Sequence, residues 1–185
     1  MVFLTALWLP IVLSAVFVFI ASSVIHMALP IHKSDYGKMA KEDDVLSAMR
    51  EAGVKPGDYM FPYASEMKEM GEPEMVKKLE QGPVGMVTIW PNGPMQMGSS
   101  LAIWFAYCIV IGWLVAYITG RTFGPGTDYL QVFRVAGTVA FLAYAGAHAQ
   151  ASIWFKRSWS TTLKHTLDGL VYGLLTAGTF GWLWP

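Results

Sequence analysis

The 185 residues contain a single cysteine, Cys108. That excludes a disulfide framework and a thiolate zinc site. Inside an apolar run, Cys108 reads as a small buried hydrophobe. Charge is also scarce: Asp, Glu, Lys and Arg make up 14% of the chain, against about 25% in soluble domains. The formal net charge is zero, and eleven of thirteen acidic and eight of thirteen basic residues fall between His32 and Glu80. No basic surface for nucleic acid follows from such a distribution. Polar stripes are missing too. From Leu101 to Ile118 the only polar atoms belong to Tyr, Trp and Cys, whereas a helix at the surface of a soluble protein carries a polar face. Finally, no GxSxG, HExxH, Walker or GxGxxG pattern occurs, so no reaction class is signalled.

What is present is apolar sequence in long runs. Hydrophobic residues make up 54% of the chain, and the eight tryptophans lie mostly near the ends of those runs. A bilayer collects indoles at its two interfaces. Four runs reach the roughly 20 residues a spanning helix needs: Val2 to about Leu29, Ser99 to Thr119, Tyr129 to Phe155 and Thr162 to Trp184. The first has no basic residue ahead of it, unlike a signal peptide. It is expected to be retained, bent or begun near Pro10. The expected fold is therefore all-α and integral to the membrane. Residues 1–30 form transmembrane helix 1, residues 31–98 a small ordered insertion, and residues 99–185 helices 2–4 of a four-transmembrane-helix bundle. Short connections at Arg121–Asp128 and Lys156–Thr161 make helices 2, 3 and 4 antiparallel neighbours. Lys33, Lys38, Lys41, Lys156, Arg157 and Lys164 gather at one side and Arg121 at the other. The positive-inside rule then places the insertion in the cytoplasm and both termini outside it.

Within the insertion, an acidic start at Glu42 and Gly53 at the far end predict a helix between them. Pro73 to Gln81 reads as a second helix, with Pro at its first position and Gly82 after it. Ser65 to Met70 predicts a helical turn, and Met86–Trp90 is β-prone. Little or no sheet is expected. Met67, Met70 and Met75 fit packing along a helix face.

Ionisable groups at membrane depth are costly, so each is a candidate site. Asp168 lies in helix 4, four residues after Lys164 and three after His165. His148 and Gln150 of helix 3 lie about as far from the intervening loop, so Lys164 and His148 are both candidate partners for Asp168. One partner makes a structural lock and the other a proton or cation site. His26, Met27, His32 and Asp35 cluster at the end of helix 1 and are conceivable metal ligands, but Pro30 interrupts the helix between them and the spacing fits no metal motif. Arg134 reads as an interface anchor. Small residues, Gly137 and Gly146 in helix 3 and Gly169 and Gly173 in helix 4, predict close helix packing, with helix 3 the most enclosed.

Three stretches carry a resemblance: Gly82–Pro91, Tyr129–Phe141, and Asp168–Gly173 with Gly178–Pro185. They resemble a group of small four-helix bacterial inner-membrane proteins to which no activity is assigned. The resemblance implies an inner-membrane location and brings no catalytic residue. The expected function is that of a non-enzymatic, homo-oligomeric membrane protein, structural or accessory in a larger membrane complex, or permeated by a small solute or ion. Bound lipid is expected, and no cofactor. The alternative is a membrane enzyme or metal-site protein using His148, Asp168 and His165.

Overall fold

Two units divide the chain, Met1–Gly37 with Gln96–Pro185, and Lys38–Met95. The computed structural model describes residues 1–185.

In the first unit a 3-10 turn, Leu4–Leu7, runs into helix α1, Trp8–Ser23, and a π turn, Val24–Ala28. Pro10 sits in the first turn of α1, where its missing amide costs little. Leu29 takes the extended conformation that the following Pro30 imposes, and Pro30–Ser34 forms a further 3-10 turn. This break turns the chain back over the end of α1.

The other long helices of this unit come later in the chain. Helix α4 is Met97–Thr122, α5 Tyr129–Ala145, α6 His148–Phe155 and α7 Trp159–Trp182. Asp128 caps α5 by accepting the Leu130 amide at 2.9 Å, which satisfies one of the donors left free at a helix start. The expected continuous helix from Tyr129 to Phe155 is interrupted at Gly146–Ala147, where a glycine weakens helix by about 1 kcal/mol relative to alanine.

Three stretches are long and apolar enough to cross a membrane: Leu4–Ala28, Met97–Thr122 and Tyr129–Phe155. The sequence reading expected four. Helix α7 has the length, at 24 residues, but Lys164, His165, Asp168 and its threonines dilute its apolarity.

Helix α1 packs on α4 and α7, and α5 packs on α4 and α7, so the four long helices close a ring. Both termini meet the α4–α5 loop at one end. There the Val2 amide donates to the Gly120 carbonyl at 2.8 Å, and the Gly126 amide donates to the Pro185 carbonyl at 2.6 Å. At the α5–α7 contact, a Cβ on Gly169 would stand 2.7 Å from Ala145, one on Gly173 3.2 Å from Phe141, and one on Gly137 3.0 Å from Ala177. These three glycines do the packing the sequence suggested. Gly146 does not: it is exposed, and the nearest atom to a Cβ there is the Leu142 carbonyl of its own turn, at 2.6 Å. Nor is helix 3 the most enclosed. Helix α7 buries ten residues and α5 five, because α7 is gripped by both α1 and α5.

The bundle's core is mostly apolar, with Leu7, Val18, Val115, Val132 and Phe180 fully buried, and it also takes in hydroxyls. Ser14, Ser22, Thr119, Thr176 and Thr179 are buried, each donating to a carbonyl one turn back. Ile103, Val110, Leu142, Leu167 and Leu174 stay exposed.

In the second unit, helix α2 spans Glu42–Glu51 and α3 spans Pro73–Gln81. Gly53 and Gly82 follow them with φ of 66° and 60°, where a side chain would be strained. Strand β1, Gly57–Phe61, pairs antiparallel with β2, Gly85–Ile89, from Gly57 opposite Ile89 to Phe61 opposite Gly85. The sheet is small, as expected, and β2 falls on the β-prone stretch Met86–Trp90, whereas β1 carries no such signal. Gly-Asp-Tyr-Met-Phe has no clear alternation, and its strand forms because a partner lies opposite. No residue of this unit is buried. Met67 is 91% exposed and does not pack along a helix face.

Candidate metal centre

The break at Leu29–Pro30 decides the site. It folds His32 and Asp35 back over the end of α1, beside His26 and against the first turns of α7. The imidazoles of His26 and His32 have centroids 4.3 Å apart, those of His32 and His165 5.0 Å, and those of His148 and His165 5.5 Å. All four histidines of the chain thus share one cluster, with Asp35 and Asp168 among them.

Asp168 is shielded, with its side chain 9% exposed. Its partners are not those the sequence suggested. Oδ2 lies 3.1 Å from His32 Nε2, 3.7 Å from His165 Nδ1 and 3.9 Å from His26 Nε2. Lys164 instead reaches across to the α1 extension, donating to Asp35 Oδ1 at 2.8 Å and to Ser34 Oγ at 2.7 Å. His148 lies beside His165 and not against Asp168. Gln150 is exposed and takes no part.

Asp35 sets the state of His32. Its side chain is 3% exposed, and burial pushes the carboxyl up. Hydrogen bonds and charge from Lys164 and His32 outweigh that and hold it at about 2. An ionised carboxylate only accepts, so the 2.6 Å contact with His32 Nδ1 has the imidazole donating. In the neutral ring, Nε2 then carries a lone pair. A histidine held this way, one nitrogen donating to a carboxylate and the other bare, is the usual form of a metal-ligating imidazole.

His165 is fixed the opposite way. The Arg157 guanidinium, which can only donate, lies 3.0 Å from His165 Nε2. The ring proton is therefore on Nδ1, pointing toward Asp168. At 3.7 Å this nitrogen is beyond hydrogen-bond range of the carboxylate, and His165 is not itself a ligand in this state.

Two sets of side chains lie close enough to share an ion: His26, His32 and Asp168, or His32, Asp35 and His165, each with ligand atoms within 4.8 Å of one another. Charge separates them. Lys164 and Arg157 already contact the second set and would repel a cation. The first set has no cation against it. Two ligands about 2.0–2.1 Å from a tetrahedral ion stand roughly 3.3 Å apart, and the separations from Asp168 Oδ2 of 3.1 and 3.9 Å straddle that.

One feature of the first set is diagnostic. His32 Nε2 and Asp168 Oδ2 are both fully buried and lie 3.1 Å apart, close enough for an ion pair if the imidazole is protonated, but neither makes a hydrogen bond of good geometry. With the imidazole neutral and its proton on Nδ1, both facing atoms are acceptors, and buried acceptors without a donor call for a water or an ion.

Sequence reasoning isolated each half of this centre without joining them. It missed Tyr172, whose hydroxyl lies 3.4 Å from His26 Nε2, although the spacing of four from Asp168 places both on one face. It also missed Arg157, read only as an orienting charge. The chain matches no family model, and no curated protein or solved structure shows significant similarity to it.

Proposed function

We propose that the protein is a membrane metalloprotein that holds one divalent transition metal ion through His26 Nε2, His32 Nε2 and Asp168 Oδ2. The observation that carries this reading is the buried, unsatisfied pair His32 Nε2 and Asp168 Oδ2 at 3.1 Å. Two imidazoles and a carboxylate suit the iron-to-zinc series and leave coordination positions open. An ion so held polarises a bound oxygen and lowers the pKa of a bound water toward about 7. Asp35 and Lys164 form the outer shell that fixes His32.

The same reading makes α7 a fourth span of a bacterial inner-membrane bundle. Its Lys164, His165 and Asp168 turn toward α1 and its extension, so its polar content does not face lipid. The charge pattern supports an inner face at the metal end, with Lys33, Lys156, Arg157 and Lys164 gathered there, and an outer face at the end where Met1 and Pro185 meet.

Metal analysis of the protein purified from membranes tests the site. Close to one transition metal per chain is expected. His32→Ala and Asp168→Ala should each lower this below a tenth while the protein elutes as before, and Gln150→Ala should leave it unchanged. Equal metal content in the wild type and both site variants would refute the assignment.

A further inference from the structure

Beside His26 and Asp168, two of the three ligands, lies a half-open cavity of about 390 Å³ lined from α1, α4, α5, α6 and α7. Its lining runs along α7 from His165 to Tyr172, two helical turns or about 10 Å of depth. The size falls in the range of small-molecule sites.

The two ends of this cavity differ. His26, Asp168 and His148 border one end. The rest of the wall is largely an aromatic box, which meets the polar groups at Tyr172, whose hydroxyl lies 3.4 Å from His26 Nε2. Trp104 stands at its centre, with ring centroids 5.7 Å from Tyr107, 6.1 Å from Tyr144 and 6.0 Å from Tyr172, and Tyr144 meets Tyr172 edge to face at 5.4 Å. Much of the wall's polarity is already spent within the protein. Trp104 Nε1 donates to Ser22 Oγ at 2.8 Å, Ser22 donates to the Phe19 carbonyl at 2.9 Å, and Ser23 donates to the same carbonyl at 2.8 Å. A ligand in the box therefore meets ring faces and edges and few free donors or acceptors. Such a wall favours a flat apolar ring, offset or edge-on to its aromatics. The polar end offers what a single oxygen donor needs, the open positions of the ion.

We infer that the cavity binds a membrane-soluble planar ring bearing one oxygen donor, a molecule of the phenol class, with the ring in the aromatic box and the oxygen on the metal. This rests on the metal reading above and names the ligand class for that same site.

Cobalt(II) replacement separates the two claims, because its visible bands report coordination directly. The cobalt protein in detergent is titrated with para-cresol, with toluene as a ring lacking the donor, and with azide as a donor lacking the ring. The expected result is a saturable band shift with para-cresol, a shift with azide, and none with toluene, which instead weakens para-cresol binding by competition. Leu101→Trp fills the box from α4 without touching the three ligands. It should leave the cobalt bands and the azide shift intact and weaken para-cresol at least tenfold. Normal cobalt bands with no azide shift would overturn the inference by showing no open position. So would para-cresol binding equally well to Leu101→Trp and wild type. Both results leave the metal assignment standing. Absence of cobalt bands in the wild type would remove both.

Discussion

The helical bundle and the insertion solve opposite problems. In the bundle, an apolar core takes in several hydroxyls and Asp168, while many leucines stay exposed. In residues 38–95 helices, turns and a two-stranded sheet form, yet not one residue is buried. The bundle's order comes from close backbone approach at Gly169, Gly173 and Gly120. The insertion's order comes from local devices: a proline at the first position of α3, glycines after α2 and α3, and one strand pair. Local devices fix conformation residue by residue, but they supply little of the apolar burial that makes a small unit resist opening. A site that must hold two imidazoles and a carboxylate in register therefore belongs in the bundle.

Hydrogen exchange offers the largest contrast. Amides of β1 and β2 should exchange at least about 100-fold faster than those at the middle of α7, since local opening energy follows buried contact. Equal protection measured by mass spectrometry would show that the insertion has a core after all.

The same substitution in the two regions gives the next contrast. Gly169→Leu drives a side chain into Ala145, at 2.7 Å from the first added atom, and should cost about 3 kcal/mol or more. Gly71→Leu meets nothing within 4 Å and should change stability by less than about 0.5 kcal/mol. Thermal unfolding of both variants in the same detergent decides. Similar losses would break the distinction between packed and unpacked glycine.

A subtler change tests the outer shell. Asp35→Asn keeps the shape but loses the ionised acceptor that fixes His32 and the charge paired with Lys164. Metal affinity should fall about 10- to 100-fold, read by competition with a chelator, with the helical signal unchanged. Unaltered affinity would mean that His32 is not held as a ligand by Asp35.

The smallest effect lies in the insertion. The Ser65 hydroxyl and amide both donate to Glu69, which lowers that carboxyl from its ordinary 4.5. A lowered folded value means that the turn is favoured above about pH 4.5 and loses this support as pH falls through the folded value. The Ser65 amide resonance should follow that titration, with its midpoint below 4.5. A midpoint at or above 4.5 would show the contact absent in solution.

Much of the architecture was written in the sequence, because its causes are local or periodic. Unbroken apolar length announced three spans, Gly53 and Gly82 the helix ends, Pro73 a helix start, and small residues at Gly137, Gly169 and Gly173 the tight contact. Where causes are not local, the reading ran out. Strand β1 exists only against β2, and Lys164, His165 and Asp168 of α7 find their partners on α1 and its extension.

The site divides along the same line. The sequence alone supplied His26, His32 and Asp35 as one conceivable cluster and His148, Lys164, His165 and Asp168 as another, and it paired Asp168 with the wrong partners. Pro30 was read as the residue that separates His26 from His32. In the folded chain the turn it imposes brings His32 back over α1, onto an Asp168 more than 130 positions away in sequence. No periodicity encodes that meeting. It follows from the direction of one turn and from the packing of α1 on α7, which only the tertiary structure decides.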